Sequence, residues 1–260
     1  MPGDRADRKR LPQDFQEIDR TTPEFGDLYD ELPLWSAPFD LMLLDRVPLK
    51  PGLTILDVGA GTGFLTIELA ERCGAGTKVI AVDPWTAAMD RLRRKIAQRR
   101  LDNIVLLEQD ASAIDLPDEF VDVLVSNLGI NNFADPPAVL RECFRVARPG
   151  AALHLTTNLA GHMAEFYEVY KAVLMDLGQQ DRLGVLEAHV QHRGSVESVE
   201  DLLESAGFEV LEIATSEFQM RFADGSSFLR HHFIRLGFVP GWKAIAADGS
   251  LEATFGLLEQ

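Results

Sequence analysis

Three aspartates and three glycines stand out by type and spacing. Asp57 follows Leu53-Thr54-Ile55-Leu56, and Gly59, Gly61 and Gly63 alternate directly after it. Asp83 closes Lys78-Val79-Ile80-Ala81-Val82 and lies 20 residues past Gly63; Asp110 closes Ile104-Val105-Leu106-Leu107-Glu108-Gln109. Short apolar runs of this kind read as buried strands. Glycines after a strand let backbone approach a ligand where any Cβ would clash. Phe64-Leu65-Thr66-Ile67-Glu68-Leu69-Ala70 then has apolar residues at helical spacing. A helix starting there aims its unsatisfied N–H groups and positive dipole end at the same space. The chemistry these residues can do is to hold a polar or anionic cofactor. Asp83 can accept both hydroxyls of a ribose, and with Pro84 after it also suits a helix N-cap with proline at N1; the two roles are compatible.

Further elements position these groups. Phe120-Val121-Asp122-Val123-Leu124-Val125-Ser126 reads as a fourth strand running into Asn127-Leu128-Gly129-Ile130-Asn131-Asn132. Asp135-Pro136-Pro137 starts a helix through Val146, Arg148-Pro149-Gly150 turns, and Ala152 to Thr156 is a fifth strand. A helix from Trp85 to about Arg99 presents Arg91, Arg93, Arg94 and Lys95, which read as a solvated face. Phe25 to Leu44 is apolar, with prolines 33 and 38, and is expected as short helices. Gly161 to Gly194 has a helical pattern. Ser195 opens another helix with a capping box, ending at Gly207, and Phe208 to Phe222 is expected to carry a sixth strand. Ser250 to Gln260 reads as helix, so an antiparallel seventh strand stays open. Strands alternating with helices predict an α/β fold with a Rossmann-like, doubly wound, mostly parallel sheet.

Asp57-Val58-Gly59-Ala60-Gly61-Thr62-Gly63 resembles motif I of the class I S-adenosylmethionine (SAM) dependent methyltransferases, and the stretch from Thr54 to Thr156 follows their order of motifs. The dinucleotide fingerprint G-x-G-x-x-G would need glycine where Phe64 stands, which disfavours NAD. The resemblance implies SAM as cofactor, with S-adenosylhomocysteine as product. It implies that Asp57, Gly59, Gly61, Gly63, Asp83, Pro84, Trp85, Asp110, Ala111 and Asn127 bind that cofactor. Asp110 would take the adenine amino group, the amide of Ala111 a ring nitrogen, and Trp85 would lie on the adenine or cover the sheet edge. It also implies an N-terminal segment across the cofactor mouth, in which Tyr29 and Trp35 wall the site or only anchor the segment. The organisation it suggests is an arm with helices over residues 1–50, a SAM-binding core over 51–160, a helical cap over 161–194, and the remainder of the core with a second cap element over 195–260.

Composition bounds the partners. Lys and Arg number 25 against 41 Asp and Glu, a net charge of −16. Duplex binding relies on Lys and Arg neutralising phosphates, so nucleic acid is not the expected substrate, and an anionic membrane surface is disfavoured too. The N-terminus lacks the apolar stretch of a signal peptide and no run reaches transmembrane length; a cytoplasmic protein is expected. Cys73 and Cys143, both in predicted helices, have no zinc or disulfide spacing, unlike the arsenite-methylating branch, which needs several cysteines. Arg221-Phe222-Ala223-Asp224-Gly225 is similar to caps of the small-molecule (type 11/25-like) branch. The acceptor is therefore expected to be a small molecule with an O-, C- or S-nucleophile, attacked in line. Asn131, Asn132, Trp35 and His231 are its candidate contacts. His162 is the candidate base, with His189, His192 and His232 as further imidazoles. No carboxylate lies between Asn127 and Ala134, so chemistry without a metal is expected. A non-catalytic SAM- or nucleotide-binding regulatory module is the alternative. The oligomeric state is not legible.

Overall fold

β1 (Thr54–Val58) forms because its residues are buried on both faces, as a central parallel strand requires. Ile55 packs with Leu65 and Leu69 of α3 (Phe64–Cys73), whereas Leu56 and Val58 pack with Val139, Cys143 and Val146 of α5 (Pro136–Val146). The computed structural model describes residues 19–31, 33–247 and 249–260; residues 1–18 of the expected N-terminal arm, with Leu32 and Asp248, lie outside them. Around β1 stand β2 (Lys78–Val82), β3 (Ile104–Leu107), β4 (Val121–Asn127) and β5 (Ala147–Thr156), all parallel, in the order β3-β2-β1-β4-β5. The order reverses between β1 and β4, and in such sheets ligands bind outside the carboxyl ends at that switch point. Asp57, Val125 and His154 are paired in register across β1, β4 and β5, so the carboxyl ends of these strands are level.

Two helices precede β1: α1 (Pro23–Asp30) and α2 (Pro33–Leu44). α1 is capped by the Thr22 hydroxyl and lies on α4 (Thr86–Arg99). Gly26 makes this approach possible, since a Cβ there would stand 2.6 Å from the Ala87 carbonyl oxygen. The basic face of α4 is not simply solvated, as expected. Arg91 and Lys95 bind Asp30 at 2.9 and 2.7 Å, Arg94 binds Asp27, and Arg93 binds Asp90 and Glu108. The acidic edge of α1 is what that face receives.

The chain divides into two compact units. One holds residues 19–158 and 195–216, including α8 (Val196–Ala206), whose N-terminus is capped by the Ser195 hydroxyl and whose end is the left-handed Gly207. The other holds 159–194 and 217–260. There α6 (Ala164–Asp176) and α7 (Leu183–Gln191) pack with α9 (Gly225–Arg230), α10 (His232–Gly237), α11 (Val239–Lys243) and α12 (Leu251–Leu258). Its centre is Trp242, fully buried, with Phe166 at 4.0 Å between ring centroids and the Tyr170 hydroxyl donating to the Trp242 carbonyl at 2.8 Å. Residues 161–194 are largely helical, as expected, and pack with 217–260 within this unit.

The sixth strand expected over 208–222 does not form: none of these residues joins a ladder. Phe208 is held edge-on to Phe144, Glu212 binds Arg46, and Leu211 and Ile213 are exposed. The segment also passes from one unit to the other after Ser216. Side-chain anchors hold it in place of backbone pairing. Among the described residues no helix is long and apolar enough to cross a membrane.

Candidate cofactor and acceptor site

The glycine turn is fixed by the backbone. The N–H groups of Gly59 and Ala60 donate to the Val82 carbonyl at 2.9 and 3.2 Å, and that of Gly63 to the Ala60 carbonyl at 2.9 Å. Gly59, Gly61 and Gly63 all have positive φ, at 75°, 53° and 81°, a region that side chains with a Cβ rarely adopt. The three are not equivalent. A Cβ on Gly63 would stand 2.2 Å from the Leu92 side chain, whereas one on Gly61 would meet nothing within 4 Å. Gly63 is glycine because of helix packing, and Gly61 leaves an open side in which a ligand can lie against backbone. These features fit SAM.

Asp83 ties the turn to the second strand. One carboxylate oxygen accepts the Gly61 N–H and the other the Trp85 N–H, both at 2.8 Å. It is not the N-cap of α4, as its sequence context suggested; the cap position is Trp85 and the helix starts at Thr86. Each oxygen keeps a lone pair for a ligand hydroxyl. Burial raises the Asp83 carboxyl above its ordinary range, against the two N–H bonds that lower it. Asp57 is fully buried, accepts the Thr66 hydroxyl at 2.6 Å, and is pushed up to about 7, chiefly by burial. Lys95 reaches from α4 to the Thr62 carbonyl at 2.9 Å while bound to Asp30, so the turn, α4 and α1 share one cation.

Tyr29 and Trp85 meet edge-to-face at 5.2 Å, Phe25 adds a third ring, and the Trp85 indole N–H donates to the Arg20 carbonyl. Tyr29 therefore stands beside the residue that follows Pro84. Trp35 packs on Phe39 within α2. Asp110 is exposed past the end of β3, where the side chain and then the N–H of Ser112 hold its carboxyl below the usual range; Ala111 is buried.

A neutral polar ladder closes the ends of β4 and β5. Thr156 donates its hydroxyl to the Asn127 carboxamide, Thr157 donates to Asn131, and Asn131 donates to Asn158. Asn132 is exposed and donates to the Leu128 carbonyl. Leu128 has φ of 60° and its N–H donates to the Thr156 carbonyl. Sequence reasoning found Asn127, Asn131 and Asn132 but missed their partners Thr156, Thr157 and Asn158, as well as Thr66, Lys95, Asp40 and His154. The threonines and Asn158 follow a predicted strand end and were within reach of the same logic.

His162 and His231 belong to the other unit. His162 packs on Phe238, and burial drives its imidazole down to about 3, too weak a base for proton removal near neutral pH. His231 is exposed and lies against Phe222. Both cysteines are buried, with Cys143 pushed up to about 12 by burial, so neither offers a thiolate. Among the described residues no three His, Cys, Asp or Glu side chains gather as metal ligands.

The fold and the glycine turn with its acidic strand ends define a nucleotide-type cofactor site in a Rossmann-like sheet. Residues 56–155 match the family model described as a methyltransferase domain. Similar proteins include a ubiquinone/menaquinone biosynthesis C-methyltransferase of Idiomarina loihiensis, 26% identical over 179 residues, which covers 65% of this chain and 71% of that protein. A demethylmenaquinone methyltransferase of Lactococcus lactis is 29% identical over 221 residues, covering 80% and 85%. The solved SAM-dependent methyltransferase from Aquifex aeolicus superposes with a TM-score of 0.58 at 25% identity, over 75% of this chain and 92% of that one. The matched segment and these relatives support a class I SAM-dependent methyltransferase, an enzyme with SAM as its cofactor.

Proposed function

We propose that the enzyme transfers the methyl group of SAM to a small, partly apolar acceptor, of which a reduced quinone ring lacking one methyl group is the best-supported kind. The observation that carries this reading is the neutral ladder Asn127–Thr156 and Asn131–Thr157–Asn158 at the switch-point edge. Its carboxamides and hydroxyls can orient an acceptor hydroxyl and offer no charge to phosphate or to a hard cation. The relatives named for quinone precursors support the same class of acceptor.

Bound SAM supplies a methyl group activated by its sulfonium. The chain's own residues do the rest. Asp83 and Asp110 hold the cofactor's hydroxyl and amino groups, and the glycine turn holds its length. Tyr29, Phe25 and Trp85 keep water from that side. Asn131, fixed by two bonds, orients the acceptor. The methyl group that SAM would supply there would replace the acceptor's ring proton, which would leave to water. Alignment at contact supplies most of the acceleration.

Transfer of label from methyl-tritiated SAM to a reduced demethyl-naphthoquinone, with and without a chelator, tests this. Labelled product formed equally in both is expected. Label found only on protein or RNA would overturn the small acceptor, and loss on chelation restored by magnesium would overturn metal-free chemistry.

A further inference from the structure

Asp40 is the one charged residue of α2. Asp40 stands in Pro33-Leu34-Trp35-Ser36-Ala37-Pro38-Phe39-Asp40-Leu41-Met42-Leu43-Leu44 and is 1% exposed, and neither carboxylate oxygen has a hydrogen-bond partner. A buried carboxyl with no partner costs several kcal/mol in either state, so it asks for an explanation. Its position gives one. One turn further along α2, Leu43 and Leu44 pack with Ile55 of β1 and Leu65 and Leu69 of α3. Asp57, two residues after Ile55, shares that face of β1, and its carboxylate is bonded to Thr66 of α3. Asp40 interacts electrostatically with Asp57 and with Glu68 of α3. Two buried carboxyls thus lie within electrostatic reach of each other beside the glycine turn. The other titratable groups facing α2 do not neutralise them. Glu68 is itself an acid, bonded to Arg72, and His154 of β5 is half-buried, has a buried, unpartnered Nε2 and is held less basic than usual by desolvation.

We propose that Asp40 is a cofactor-binding residue which, with Asp57, receives the α-ammonium at the methionine end of SAM. This rests on the assignment of the cofactor to the glycine turn. An ammonium brings donors to Asp40, which has none, and a positive charge to a carboxyl pair in which Asp57 is bonded only to the neutral Thr66. Burial and the neighbouring acids raise the Asp40 carboxyl to about 8, so it is protonated in the empty protein at neutral pH. Arrival of the ammonium favours the ionised form, and the proton leaves to solvent. Cofactor affinity then rises with pH up to about 8. Stability of the empty protein runs the other way. A carboxyl raised in the folded state contributes stability that is present below about 4 and is lost as pH rises toward about 8, because the unfolded chain ionises first.

The test is calorimetry of the full chain with S-adenosylhomocysteine, which carries the ammonium, and with 5′-methylthioadenosine, which lacks the whole amino-acid end. Wild type is expected to bind the first more tightly as pH rises from 6 to 8, releasing protons counted in buffers of different ionisation enthalpy. Asp40→Asn is expected to weaken S-adenosylhomocysteine tenfold or more at pH 8 and to flatten the pH slope. It should leave 5′-methylthioadenosine within twofold, and raise the melting temperature at pH 8 but not at pH 4. Wild-type binding of S-adenosylhomocysteine without proton release, or Asp40→Asn with unchanged affinity and slope, overturns the role of Asp40 alone. Absence of wild-type binding to either probe overturns the cofactor assignment and this proposal with it. The wild-type proton count decides even if the variant does not fold.

Discussion

Replacing Asp83 by alanine weakens S-adenosylhomocysteine binding by two orders of magnitude or more. Two charge-assisted bonds to ribose hydroxyls are at stake, at roughly 1.5–3 kcal/mol each, and about 1.4 kcal/mol is a factor of ten. The structure adds a second loss. Asp83 also accepts the N–H groups of Gly61 and Trp85, so its removal frees the glycine turn from the start of α4. Binding heat and the melting curve are read together. A folded variant that binds as wild type does removes Asp83 from the site.

Gly63→Ala lowers the melting temperature steeply, and Gly61→Ala does so far less. Both add a Cβ at positive φ, which costs about 1–2 kcal/mol. Only Gly63 adds a collision, with Leu92 atoms at 2.2, 2.8 and 2.9 Å. Leu92 is fully buried, so overpacking adds about 1–3 kcal/mol. At roughly 2–4 °C per kcal/mol for a chain of this size, Gly63→Ala falls by about 4–20 °C. Gly61→Ala is expected to keep its fold and lose cofactor affinity, because its methyl enters the open side of the turn. Equal melting of the two variants would contradict the packing of α3 on α4.

The strand–turn–helix was legible because its demands are local: positive φ at three glycines and apolar runs of fixed length. The parallel arrangement of the strands was implied by the resemblance of the stretch from Thr54 to Thr156 to the methyltransferase motifs. What was hidden depends on partners distant in the chain. Arg91, Arg94 and Lys95 looked like a solvated face because Asp27 and Asp30 lie more than 60 residues earlier. Asp83 looked like a cap, yet its carboxylate binds the glycine turn 22 residues before it. The run 208–222 had strand composition, but pairing is a property of the neighbour and no neighbour joins it. The division into two units escaped because Trp242 and its aromatic partners come from segments on either side of 195–216. Asp40 was visible all along as the lone acid of an apolar helix, a pattern that deserved weight.

Titration calorimetry of the unmodified chain with S-adenosylhomocysteine, and separately with NAD, tests the central claim most directly. Saturable one-to-one binding of S-adenosylhomocysteine, with no binding of NAD, is the predicted result. Tight binding of NAD with no measurable S-adenosylhomocysteine binding would contradict the cofactor assignment and every role derived from it.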